Sequence, residues 1–143
     1  MAEIFLNWQA LNGKNGHEIG RKLLAELYEA HVGGVMPEIL TADGGKPRFA
    51  TGDWYFSISH SKNHAFCVLA DHPVGIDAEE IDRQIRLSIA PKILSAGELA
   101  QFDAADDPRD TLLRFWVLKE AAAKRSGKGI GVHPRHTDVT LPD

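Results

Sequence analysis

The stretch His64-Ala65-Phe66-Cys67-Val68-Leu69-Ala70 decides the fold. From Ala65 to Ala70 it is the longest unbroken apolar run in the chain, far short of the roughly 20 residues a bilayer-crossing helix needs and of the right length for a strand in a protein core. On its C-terminal side, Asp71-His72-Pro73 breaks the chain before a second apolar segment, Val74 to Ala78, which also reads as a strand. On its N-terminal side, Trp54 to Ser59, Arg48 to Ala50 and Pro37 to Thr41 read the same way, separated by the turn formers Thr51-Gly52-Asp53 and Gly44-Gly45-Lys46-Pro47. The five segments are expected to form one largely antiparallel sheet. A further short strand is expected over Ala2 to Trp8, followed by the loop Asn12 to Gly16.

The helices come before and after this block. From His17 to His31, Ile19, Leu23, Leu24, Leu27 and Tyr28 recur every three to four residues as one buried stripe, and Gly33-Gly34 ends the helix. Ser95 with Glu98 three residues later forms a capping box, contributing about 1 kcal/mol, at the head of a helix reaching Phe102. After Asp106-Asp107-Pro108, Asp110 is expected to cap a last helix running to about Ser126, with Leu112, Leu113, Trp116 and Val117 on or near its buried face and Gly127 at its end. Thr137 to Leu141 reads as a final strand. The sum is an α+β fold, a mainly antiparallel sheet packed against a few helices, in a single domain over residues 1–143.

Composition agrees. The 143 residues carry 16 Lys and Arg against 20 Asp and Glu, a net charge of −4, with 43% hydrophobic and 25% charged residues. These are values of a folded globular domain, and the acidic balance speaks against general nucleic-acid binding. Cys67 is the only cysteine, so neither an intrachain disulfide nor a multi-cysteine zinc site can form, and its apolar setting predicts an inert thiol. The N-terminus carries no basic-then-apolar signal segment, so the expectation is a cytoplasmic protein with no membrane partner.

Three stretches carry chemistry. In Val74-Gly75-Ile76-Asp77-Ala78-Glu79, a strand would aim Asp77 and Glu79 at one point and Glu80 away from it. Two such carboxylates suit a hard divalent cation, as they also suit a solvated strand end. In Trp116-Val117-Leu118-Lys119-Glu120-Ala121-Ala122-Ala123-Lys124, Glu120 and Lys124 stand one helical turn apart. That spacing is also that of an ordinary surface ion pair, but Lys119, Lys124, Arg125 and Lys128 form a basic cluster in an acidic protein, as a polyanion site requires. In Ser57-Ile58-Ser59-His60-Ser61, period-two alternation sets the three hydroxyls on one face and His60 on the other, where the imidazole can meet a phosphate or satisfy a loop carbonyl. His133 and His136, flanking Pro134 and Arg135, read as a loop rather than a zinc site.

With Gly45-Lys46-Pro47 ahead of them, these motifs occur in the order Gly45-Lys46-Pro47, Ile58-Ser59-His60-Ser61, Gly75-Ile76-Asp77-Ala78-Glu79 and Trp116 to Lys124. The ordered set resembles the 4′-phosphopantetheinyl transferases, specifically the surfactin-type branch, because a helix and several strands precede the Gly-Ile-Asp motif. The resemblance covers about His17 to Ile130 and implies a member shortened at both ends, with a sheet edge that self-association or an unusual closure would cover. It implies transfer of the phosphopantetheine arm of coenzyme A to a serine of an apo acyl or peptidyl carrier protein, with release of 3′,5′-ADP. It further implies that Asp77, Glu79 and Glu120 hold Mg²⁺, that Glu120 and Lys124 are catalytic, and that Lys46, Pro47, Ser59, His60, Asp77, Lys119 and Lys124 bind coenzyme A. Arg21 and Lys22 are looser candidates. The alternative is a relative that binds coenzyme A or a carrier protein without catalysis.

Overall fold

In the computed structural model, residues 2–41, 45–126 and 138–139 are described. Three antiparallel strands form the main sheet in the order β1 (Ile4–Ala10), β5 (His64–Ala70), β4 (Tyr55–His60). The apolar run is the central strand, with Ile58 and Asn7 both opposite Cys67. A helix, α1 (Gly16–His31), covers one face of this sheet. Its stripe of Ile19, Leu23, Leu24, Leu27 and Tyr28 is buried against Ala65, Cys67, Leu69 and Phe56, forming the first core. Burying Leu23 and Leu24 alone contributes on the order of 3–6 kcal/mol.

Local chemistry sets the limits of α1. The Asn15 side chain accepts from the Glu18 N–H at 3.1 Å, and at the other end the Gly33 N–H donates to the Tyr28 carbonyl at 2.8 Å. That closing bond needs a left-handed residue, and Gly33 sits at φ +83°. At Gly20 a Cβ would stand 2.3 Å from Ile58 Cγ2, so glycine lets the helix lie close to β4.

The second core belongs to the C-terminal half. A single 3₁₀ turn (Leu87–Ile89) leads into the short α2 (Ala90–Ile93), then α3 (Ala96–Asp103) and the long α4 (Pro108–Ser126). Ala90, Ile93, Leu94, Leu112 and Phe115 interlock here, with Val139 packed against them. The Ser95–Glu98 capping box forms as the sequence predicts.

The α+β class holds, with corrections inside it. The strands fall into two sheets rather than one, because β2 (Ile39–Leu40) and β3 (Arg48–Phe49) pair only with each other. Val74 to Ala78 is extended but is not a strand. Its backbone is tied by side chains: the Ile76 N–H donates to Ser57 Oγ at 3.1 Å, and Lys46 Nζ donates to the Val74 carbonyl at 2.5 Å. At the head of α4, Asp107 rather than Asp110 accepts a helix-end N–H, from Asp110 itself at 3.1 Å, and Pro108 fills the first turn where no donor is needed. Cys67 is fully buried, and burial pushes its thiol up to about 12, as an inert thiol requires. Of the expected final strand only Asp138 and Val139 are described, and they lie in no regular element; Gly127, Lys128, His133 and His136 are outside the described residues. No helix among the described residues is long and apolar enough to cross a membrane.

Candidate active site

The extended segment 74–80 is suspended from β4 by three hydroxyls. Ser57 Oγ accepts from the Ile76 N–H, Ser59 Oγ donates to Asp77 Oδ1 at 3.2 Å, and Ser61 Oγ donates to Glu80 Oε1 at 2.8 Å. Period two puts Ser57, Ser59 and Ser61 on one face of β4, as the sequence predicts, while Ile58 and His60 turn toward α1, whose Gly20 and Gly16 stand close to them. Glu80 is drawn onto this face: its carboxyl, which also accepts from the Asn63 N–H at 3.0 Å, is held below the usual range by the Ser61 hydroxyl and that N–H.

The other flank of the segment is α4. A Cβ on Gly75 would stand 2.0 Å from the Ala121 carbonyl oxygen and 2.5 Å from the Arg125 nitrogen, so only glycine lets the segment cross the helix at this point. The crossing delivers Asp77 to Lys124, whose Nζ donates to Asp77 Oδ1 at 3.1 Å. Among the described residues Asp77 Oδ2 is buried without a hydrogen-bond partner. Glu79 is ion-paired with Arg83. Glu120 lies close enough to both carboxylates to feel them: burial raises its carboxyl above the ordinary range, the Asp77 charge adds to this, and Lys124 and Arg83 oppose it.

Beside these acids lies an open cavity of about 300 Å³. Its walls come from five places: His17 and Arg21 on α1, Pro47 before β3, Ser59 and His60 on β4, Asp77 to Glu79, and Lys124 on α4. Cationic and hydrogen-bonding groups thus share one space with two acids, Asp77 and Glu79, an arrangement that can hold a phosphate ester.

Asp77, Glu79, Ser59, His60, Pro47 and Lys124 are brought to this cavity, and Glu120 stands beside them within electrostatic reach. Lys46 stands behind the wall, on the Val74 carbonyl, its ammonium pushed down by burial and by the nearby Lys124 charge. Lys119 is not brought to the cavity. It points the other way from α4, buried, with Nζ 2.7 Å from Glu98 Oε1. Lys22 is also elsewhere, beside Glu26 and Gln9. His17 was not predicted as a site residue; its signal is the spacing of four to Arg21, which sets both on one face of α1.

The residues fit a hard divalent cation in kind. All three acids are oxygen donors, and among the described residues Asp77 keeps a buried oxygen without a hydrogen-bond partner. Among the described residues no three His, Cys, Asp or Glu side chains converge as a ready-made metal cage, because Lys124 and Arg83 hold Asp77 and Glu79.

Comparison with known proteins points to one family. The family model of the 4′-phosphopantetheinyl transferase superfamily matches residues 73–143, the part that contains the extended segment and α4. The chain is 36% identical over 88 residues to the 4′-phosphopantetheinyl transferase gsp of Aneurinibacillus migulanus, covering 60% of this chain and 36% of that protein. It is 34% identical over 95 residues to Sfp of Bacillus subtilis (strain 168), covering 64% and 42% respectively. To AcpT of Escherichia coli O157:H7 it is 36% identical over 114 residues, 76% of this chain and 55% of the relative. The chain thus spans about half the length of the curated relatives it matches.

Proposed function

The chain belongs to the 4′-phosphopantetheinyl transferase superfamily, and from that premise we propose that it transfers 4′-phosphopantetheine from coenzyme A to a serine of an apo acyl or peptidyl carrier protein, releasing 3′,5′-ADP. The observation that carries the reading is the meeting of Asp77, Lys124, His60 and Arg21 at one cavity, with Glu120 within electrostatic reach of Asp77. Residues 1–143 are read as one domain of this type, working in the cytoplasm, free of nucleic acid and membrane. Self-association belongs to the same reading: it would cover the outer face of β1, where Ile4, Leu6 and Trp8 are all more than half exposed.

Asp77, Glu79 and Glu120 would hold Mg²⁺, which when bound supplies neutralising charge at the pyrophosphate of coenzyme A. The chain's own groups do the rest. His60, Arg21 and His17 bind and orient the nucleotide phosphate in the cavity, and Pro47 and Ser59 shape its wall. The serine oxygen of the carrier attacks the phosphorus that bears the pantetheine oxygen, and the bond from that phosphorus to the bridging oxygen breaks, leaving that oxygen on 3′,5′-ADP. The Lys124 ammonium stabilises the negative charge that develops there. Glu120 accepts the serine proton. Lys119 serves this site by fixing the rotation of α4 rather than by touching phosphate.

Intact-mass spectrometry of apo acyl carrier protein incubated with the chain, coenzyme A and Mg²⁺ tests the proposal. The expected result is a gain of one phosphopantetheine arm, abolished by EDTA. No gain across several carrier proteins, with coenzyme A still bound, would replace the transferase reading with that of a non-catalytic binder.

A further inference from the structure

Arg83 lies outside the cavity lining, yet both its side chain and its backbone are fixed. Its guanidinium pairs with Glu79 and lies 5.7 Å from the centroid of the Trp116 ring, one turn before Glu120 on α4. Its backbone is fixed as well. The Arg83 N–H donates to the Glu80 carbonyl at 3.0 Å, and Arg109 Nη2 donates to the carbonyls of both Ile81 and Arg83 at 2.7 Å. Arg109, on α4, thus clamps the 80–83 turn so that the Arg83 side chain falls between Glu79 and Trp116. The Arg83 charge also reaches Glu120, lowering a carboxyl that burial and Asp77 raise.

Two cations therefore neutralise the acids, by different routes. Lys124 reaches Asp77 from within the cavity, where it is free to turn to a phosphate. Arg83 reaches Glu79 from behind, off a clamped turn, and its planar group keeps Trp116 as a partner when Glu79 leaves. We infer that Arg83 is a positioning residue for Glu79: it holds that carboxylate as resident counter-ion, and a divalent cation must compete with it to complete the acid site. The inference rests on the proposed metal-holding role of Asp77, Glu79 and Glu120. Its chemistry is one of exchange. An exposed arginine–carboxylate pair contributes little in water, so the latch weakens ion capture modestly rather than blocking it.

The test is the affinity of the intact protein for Mn²⁺, read by loss of the free-ion electron paramagnetic resonance signal, without coenzyme A. Three variants accompany the wild type: Arg83→Gln, Arg83→Lys and Asp77→Asn, each checked by thermal unfolding for an intact fold. Arg83→Gln should bind Mn²⁺ about three-fold more tightly, as expected from releasing one exposed ion pair, and Arg83→Lys, which keeps the charge, should remain at wild-type affinity. Unchanged or weaker binding by Arg83→Gln, with binding lost in Asp77→Asn, would overturn the latch while leaving the acid site standing. Wild-type protein that binds no Mn²⁺, or Asp77→Asn that binds as the wild type does, would overturn the acid site and the latch together.

Discussion

Replacing Lys119 with methionine removes an ammonium group while keeping the length and bulk of its stem, so it creates no cavity. What it leaves behind is Glu98, fully buried, with its strongest partner gone. Breaking one side of a buried ion pair costs about 3–5 kcal/mol. Here Oε1 keeps the Ser95 N–H at 2.7 Å and Oε2 keeps the Val139 N–H at 2.6 Å, so the loss should fall at the lower end, about 3 kcal/mol. For a domain of this size that is a fall of about 6–12 °C in Tm, measured by circular dichroism at pH 7. The pH dependence separates this cause from simple misfolding. Burial alone would raise the Glu98 carboxyl; in the wild type, Lys119 and the Ser95 and Val139 N–H groups outweigh burial and hold it below the ordinary range. A depressed carboxyl stabilises the fold above its unfolded value, near 4.3, and that contribution is lost as pH falls through the folded value. Without Lys119 the folded carboxyl moves up, so protonation costs the variant less than it costs the wild type. The gap between wild type and Lys119→Met should therefore narrow steadily from pH 7 to pH 4. A variant as stable as the wild type at pH 7, or a gap that ignores pH, would refute the assignment of Lys119 as the anchor of α4.

Two further outcomes are expected. Gly75→Ala sets a methyl group against the backbone of Ala121 and Arg125, atoms that cannot rotate aside, so it should cost about 1–3 kcal/mol in urea unfolding and remove transfer activity by moving Asp77 off Lys124. Glu120→Gln should raise the Tm of the EDTA-treated protein at pH 7, because a carboxyl raised by burial and by Asp77 destabilises the fold once ionised; the gain should vanish near pH 4, where the wild-type group is itself neutral, and transfer should be lost at every pH.

Where local sequence carried the physics, the fold was legible. The apolar run gave β5 at its observed ends, the stripe from Ile19 to Tyr28 gave α1 to within one residue, and Ser95 with Glu98 gave the head of α3. Val74 to Ala78 shows the limit: its alternation suits a strand, but both flanks are taken by serine hydroxyls and the α4 backbone, which no pattern within the segment announces. Of the site, Asp77, Ser59, His60 and Lys124 were legible because their motifs stand in a recognisable order. Lys119 was misread as a phosphate ligand because its partner, Glu98, lies 21 positions away on another helix, and a lysine beside a glutamate in a basic cluster looks solvent-facing until the helix is given its rotation. The 3₁₀ turn and α2 escaped because neither is long enough to show a period.

The serine suspension gives the acidic segment a different kind of backbone protection from that of the sheet. Amides of β5 are bonded into ladders on both sides and exchange their hydrogens with solvent only when the sheet comes apart. The Ile76 amide is held by a single hydroxyl, which one rotation about the Ser57 side chain releases. Asp77 and Glu79 thus ride on a segment tied by side chains rather than by a ladder, with Val74 at its head packed on Val68 and Ala70, and a hydrogen-exchange map should show amides over 75–80 exchanging faster than those of β5.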